Sequence, residues 1–210
     1  DLNTPNLLSS NDITCLTEDN NHHIWFGTKR GLYKLDKRNY SITEITNKEL
    51  QQQAINAIRA IHDGTIWVAA DGMIYHYSND SKLLGSYPSQ WKGHKQNVSD
   101  FYEDSKHTLW VMQWWGGLLE YHPATDHFLP HPWTCGASPT QMIEDAQNNC
   151  YWIATWGKGV VRFTPSANIQ TDTDNCTLQP ATLEGSEHNP HKSQILGLLK
   201  DSRQGVLWVS

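Results

Sequence analysis

No apolar run in the 210 residues is longer than a handful of positions, far short of the roughly 20 that a membrane-crossing helix needs. A membrane-spanning segment is therefore not read here. Nothing at the N-terminus resembles a charged region followed by an apolar one, and this absence assigns the chain to no compartment. Cations are scarce: 16 Lys+Arg stand against 22 Asp+Glu, a formal net charge of −6. A nucleic-acid groove needs clustered cations to neutralise phosphates, so nucleic acid is discounted as a partner. The four cysteines, Cys15, Cys135, Cys150 and Cys176, have no CxxC spacing, which removes zinc ribbons and thioredoxin-type motifs. Buried free thiols are the simplest reading, and a Cys135–Cys150 bridge remains open in an oxidising compartment. The 11 histidines include no HExxH or other fixed ligand spacing, and no metal or cofactor is expected.

Tryptophan is abundant, with ten copies, and half of them fall into a period. Apolar-Trp-apolar triplets centre on Trp25, Trp67, Trp110, Trp152 and Trp208, at spacings of 42, 43, 42 and 56 residues. A fixed period near forty marks a repeat architecture. An aspartate precedes each triplet (Asp19, Asp63, Asp104, Asp145, Asp201), and a glycine opening a second apolar run follows the first four (Gly31, Gly72, Gly117, Gly159). The runs are short, rich in β-branched and aromatic residues, and bounded by Asn, Asp, Gly and Pro, which is strand and turn chemistry. Helical periodicity and a leucine ladder are both missing, so helical and leucine-rich repeats are excluded.

The Trp segments are apolar in succession, as in Ile24-Trp25-Phe26 and Leu109-Trp110-Val111-Met112, so both faces of that strand must be buried. A four-stranded antiparallel sheet packed between two neighbours meets that demand, and it is the blade of a β-propeller. The fold class is all-β. The approximate repeats are 11–54, 55–97, 98–138, 139–194 and an incomplete 195–210, with a long insertion within 166–193. Residues 1–210 thus read as part of a propeller, four complete repeats and the start of a fifth. The whole is expected to close with roughly four to eight blades, and the five anchor tryptophans are expected in its core.

In an antiparallel blade with strands a to d, the b–c turns and d–a loops share one end. All five remaining tryptophans fall there: Trp114, Trp115 and Trp156 in b–c turns, Trp91 and Trp133 in d–a loops. Lys29, Arg30, Asp71 and Lys158 join them from b–c turns, and Lys92, His94, Lys95 and His131 from d–a loops. Indoles stack on the C–H faces of sugar rings while the polar neighbours bond hydroxyls or pair with acidic groups. The candidate ligand-binding residues are therefore Trp91, Trp114, Trp115, Trp133, Trp156, Lys29, Arg30, Asp71, His94 and Lys158. Packing onto strand ends competes evenly with ligand contact for Trp114 and Trp156, while exposure is favoured for Trp91, Trp115 and Trp133. No catalytic residues are assigned. The repeated aspartates read as turn acceptors of backbone N–H groups, and His62 and His76 as hydrogen-bonding residues of the framework.

The stretch SSNDITCLTEDNNHHIWFGTKRGLYKLD, residues 9–36, resembles the two-component regulator propeller repeat: Ser-Asn, an apolar strand, Glu-Asp, a turn, Trp-apolar-Gly-Thr, then Gly-Leu and a closing Asp. Trp115-Gly116-Gly117-Leu118 and Trp156-Gly157-Lys158-Gly159-Val160 resemble a variant of its turn. The second repeat departs further, with His62 for Glu and Ala69-Ala70 for Gly-Thr, and the third has Gln113 where the family has Thr. The resemblance implies the periplasmic part of an inner-membrane sensor. It implies a propeller of seven blades, joined to a second propeller, an immunoglobulin-like domain and, across the membrane, a histidine kinase often fused to a response regulator. It also implies an oligosaccharide or other small ligand, control of polysaccharide-utilisation genes and a homodimeric parent protein. No kinase signature lies within these residues, so the segment itself is not read as an enzyme. Two other readings remain: a streptogramin-lyase-like enzyme, and a propeller that serves only as an assembly surface.

Overall fold

The computed structural model describes residues 8–131, 133, 135–165, 175–178, 194–201 and 206–210, with side chains described for all of these except 175–178. The chain divides into two compact units, Asp1–Phe101 and Tyr102–Ser210.

Unit 1 holds two four-stranded sheets with strands in sequence order. The first comprises β1 (Ile13–Glu18), β2 (His23–Thr28), β3 (Gly31–Asp36) and β4 (Ser41–Glu44). The second comprises β5 (Ile55–Ala60), β6 (Ile66–Ala70), β7 (Met73–Tyr77) and β8 (Leu83–Pro88). A two-stranded ribbon follows, β9 (Gln90–Trp91) and β10 (His94–Lys95). Strand β11 (Val98–Glu103) runs across the unit boundary and begins the third four-stranded sheet. Unit 2 continues that sheet with β12 (Leu109–Gln113), β13 (Gly117–His122) and β14 (His127–His131). A fourth sheet follows with β15 (Ser138–Asp145), β16 (Cys150–Trp156), β17 (Gly159–Thr164) and β18 (Asn175–Leu178), and then the pair β19 (Leu198–Asp201) and β20 (Val206–Val209). All described pairings are antiparallel, as short hairpin connections require.

Burial follows the demand read from the apolar runs. Every residue of β6 and of β12 is buried, so these strands are covered on both faces. Strands β1, β5 and β15 each carry a register shift near their start, a bulge that strengthens the local twist. Strand β18 supplies the fourth strand of its sheet from within the long insertion, as its length requires.

The repeated aspartates do more than close turns. Asp19 Oδ1 accepts the backbone N–H of Asn21 and of His23 at 2.9 Å each, while its Oδ2 accepts the Trp25 indole N–H at 2.8 Å. Asp104 repeats this with the amides of Lys106 and Thr108, the Trp110 indole at 3.1 Å and the Tyr151 hydroxyl at 2.7 Å. Asp145 accepts the Trp152 indole at 3.2 Å. A buried indole N–H needs an acceptor, and the aspartate supplies it. The second sheet departs although its turn is equally long: Ile61 stands where the first sheet has Asp19, Asp63 lies two residues further on and accepts from Thr65, and Trp67 stacks on His76 with ring centroids 4.0 Å apart. Burial pushes the Asp19 carboxyl up, but the Trp25, His23 and Asn21 donors and the Lys34 ammonium bring it below the usual range. For Asp104 burial is likewise outweighed, by the Tyr151 and Trp110 donors and two amides.

Two expectations need correction. Trp208 occupies the anchor position yet is 58% exposed, because β20 pairs only with β19 among the described residues and nothing described there covers that face. Trp25, Trp67 and Trp110 are buried and Trp152 is half-buried. Cys135 is disulfide-bonded, whereas Cys150 is a buried free thiol whose sulfur accepts from Arg162 Nε at 3.3 Å. Cys135 and Cys150 are therefore not joined to each other.

Candidate ligand-binding face

The end of unit 2 formed by its b–c turns gathers indoles. Trp114 follows β12 and Trp156 ends β16, and their rings meet edge to face at 6.3 Å and 68°. Such pairing is favoured by the quadrupoles of the two rings. Trp114 is half-buried and Trp156 is 37% exposed. Trp115 stands beside them 77% exposed, with φ at +62° and its N–H donated to Ser138 Oγ at 3.3 Å. The left-handed region is unfavourable for a bulky residue, so this turn holds strain in order to present an indole. A backbone bridge joins Trp156 to Gln194, and exposed Lys158 lies two residues on, past Gly157.

Trp133 corrects the expectation of exposure. It is half-buried against the cluster containing Phe163, and its indole N–H is donated to the Ala137 carbonyl at 2.5 Å. Gly117 makes room for it: a Cβ at that position would lie 2.4 Å from Trp133 Cβ, and φ there is +114°. His131 belongs to the core, buried in β14 with Nε2 2.7 Å from Glu120 Oε2 and its ring against Trp110 at 4.9 Å. The strand ends one residue later than expected, which accounts for His131, while Trp133, just beyond that end, packs down into the adjacent hollow.

The corresponding end of unit 1 is charged. Exposed Lys29 pairs with Asp12 at 3.0 Å, and Arg30 is exposed with its N–H donated to Thr28 Oγ1. Asp71 pairs with Lys95 at 2.7 Å, and the Lys95 methylenes cover Gly72 so closely that a Cβ there would meet Cγ at 2.3 Å. Trp91 is half-buried on the ribbon β9–β10, opposite exposed His94. Lys92 and Gly93 turn that ribbon with φ of +49° and +80°, as a two-residue hairpin requires. The Lys-Gly pair was the overlooked signal for it.

A further pattern escaped the sequence reading. The residue directly opposite each of the first four anchor tryptophans on the next strand is ionisable: Lys34 opposite Trp25, His76 opposite Trp67, Glu120 opposite Trp110 and Arg162 opposite Trp152. Counting nine or ten residues on from each tryptophan would have found it.

With this geometry in place, the comparisons define the class. Residues 7–30, which take in β1 and β2, match the model of the two component regulator propeller. The fold is that of a β-propeller, and this segment is similar to the two-component regulator repeat. The extracellular domain assigned to a hybrid two component system of B. thetaiotaomicron matches over 98% of this chain at 17% identity with a TM-score of 0.72. Virginiamycin B lyase of Staphylococcus aureus matches over 97% at 17% identity, also with a TM-score of 0.72. A second such extracellular domain from B. thetaiotaomicron matches over 96% at 16% identity and 0.67. The chain spans 27%, 65% and 28% of the lengths of these three proteins. No curated protein matches the sequence. Among the described residues no helix is long and apolar enough to cross a membrane.

Proposed function

We propose that the chain is a segment of the extracytoplasmic sensor propeller of a hybrid two-component histidine kinase, and that unit 2 binds an oligosaccharide through Trp114, Trp115 and Trp156. The observation that carries this reading is Trp115, 77% exposed at a φ of +62° beside an edge-to-face indole pair. An exposed indole held in a strained turn is costly unless something stacks on it. A pyranose offers a C–H face to the rings and hydroxyls to Lys158. The same reading makes the location periplasmic, puts polysaccharide-utilisation genes under the parent protein's control and gives that parent a second propeller, an immunoglobulin-like domain and a dimeric state. It also has the remainder of the propeller cover Leu199 and Trp208, which stand 67% and 58% exposed.

The test is calorimetry of the intact ectodomain with glycan fragments, comparing wild type with Trp115→Ala and Trp156→Ala. Each substitution should weaken binding by about 0.5–1.5 kcal/mol, the usual worth of one aromatic contact. Unchanged affinity in both would remove the site. A lyase-like activity is the second reading, favoured by an equal TM-score of 0.72 to the lyase. Chelator-sensitive cleavage of a streptogramin would establish it.

A further inference from the structure

Unit 2 has a second concave site, at the opposite ends of its strands from the indoles. It is a cavity of about 340 Å³ bordered by Asp104, Lys106, Trp110, Glu120, Asn149 and Tyr151. Unit 1 shows what such a place contains. There Lys34, opposite Trp25, extends its ammonium to 3.5 Å from Asp19 Oδ2, 5.0 Å from the centre of the Trp25 ring and 2.6 Å from the Asn79 carbonyl oxygen. An ammonium thus sits between the repeated carboxylate, the repeated indole and a carbonyl. In unit 2 the carboxylate and the indole recur as Asp104 and Trp110, with the same hydrogen bond between them, but the residue opposite the indole is Glu120. The chain's own ammonium has been replaced by a second carboxylate.

Among the described residues, the hydrogen bonds show which groups remain available. Asp104 takes two donors on each oxygen and so acts through its charge alone. Glu120 faces the imidazoles of His131 at 2.7 Å and of His122 at 3.3 Å, one on each oxygen, which leaves each oxygen a further acceptor position. Among the described residues, exposed Lys106 is the one ammonium on the rim against two carboxylates. We infer that this cavity binds a small organic ammonium, its charged nitrogen on Glu120 beside Asp104 and Trp110, where unit 1 places the nitrogen of Lys34. This site is independent of the indole end and does not rest on the oligosaccharide reading. An amino sugar and an alkyl polyamine both carry the required group.

The test is a titration of the chain followed by calorimetry and by the NMR signal of the Trp110 indole N–H. The probes are glucosamine and putrescine, each against its neutral counterpart, N-acetylglucosamine and 1,4-butanediol. At least one amine should saturate the site at roughly millimolar concentration, its neutral counterpart binding about tenfold more weakly or worse. Which amine binds tells sugar from polyamine. Glu120→Lys, which returns an ammonium to the chain, should abolish amine binding, whereas Trp115→Ala should leave it intact. Equal binding of amines and neutral counterparts, persistence in Glu120→Lys, or no saturation by either amine up to about 20 mM overturns the inference. If Glu120→Lys does not fold, the amine-against-neutral comparison in wild type decides alone. In unit 1, Lys34→Ala should be destabilised and should gain more stability from added ethylammonium than wild type does, since wild type offers the cation only the unit 2 cavity.

Discussion

Units 1 and 2 are built on the same four-stranded sheet and differ at the ends of its strands. At the b–c end, unit 1 presents the ion pairs Lys29–Asp12 and Lys95–Asp71, while unit 2 presents Trp114, Trp115 and Trp156. At the a–b end, unit 1 fills the space beside its indole with Lys34, while unit 2 leaves a cavity beside Glu120. The inner strands β6 and β12 tolerate little variation because both their faces are covered. Strand ends meet water, so residues there are free to differ, and function collects where they do.

The largest expected difference concerns the buried aspartates. Asp104→Ala strands an indole, a hydroxyl and two amides, and should destabilise unit 2 by roughly 3–5 kcal/mol. Asp63→Ala, at an exposed residue bonded among the described residues to Thr65, should cost about 0.5–1 kcal/mol in unit 1. Urea unfolding of the two variants measures both, and equal losses would break the comparison. The same carboxylates govern acid sensitivity. Asp19 and Asp104 both titrate below the usual range in the folded chain, so their contribution is present above the unfolded value of about 3.9 and is lost as pH falls through the folded value. Urea midpoints should therefore drop from about pH 4 downward in both units, and Asp104→Asn should flatten that dependence in unit 2 only.

A smaller effect of opposite sign is expected at the indole end. Trp115→Gly relieves a φ of +62° and should stabilise unit 2 by about 1 kcal/mol while weakening glycan binding. A thermal melt and a titration on one sample suffice, and a loss of stability would show that the turn is unstrained. The smallest effect belongs to unit 1, where Lys95→Ala removes an exposed pair and should change stability by less than about 0.5 kcal/mol, with glycan affinity unaltered.

Much of this architecture was legible because a period of about forty residues repeats a strand order, and the order fixes which turns share an end. The role of aspartate as a turn acceptor was legible for the same reason. Its bond to the indole was not, since it joins side chains six residues apart across a turn whose length had to be known first. Of the indoles proposed to meet ligand, Trp114, Trp115 and Trp156 come together in unit 2, but Trp133 packs into a hollow that exists only because Gly117 has no side chain. Packing of that kind depends on a neighbour distant in sequence, and no periodicity reports it. Trp91 lies in unit 1 on a hairpin that the Lys92-Gly93 pair would have indicated.

The glycine two residues after Trp25 has a wider consequence. Gly27 lies in the middle of the sheet contact, where a Cβ would come within 2.4 Å of Ile55 Cβ, so it gauges the gap between two neighbouring sheets rather than forming a turn. At the same register stand Ala69, Met112 and Ala154, all buried, with Met112 filling a cluster that includes Met142. The side chain at this register thus runs from none in the first repeat to a methyl in the second and fourth and a thioether in the third. Residues 7–30, which match the family model, carry the glycine, and the approach of Ile55 leaves no room there for even a methyl group. Packing between sheets, rather than turn chemistry, therefore holds the first letter of the Gly-Thr pair in place.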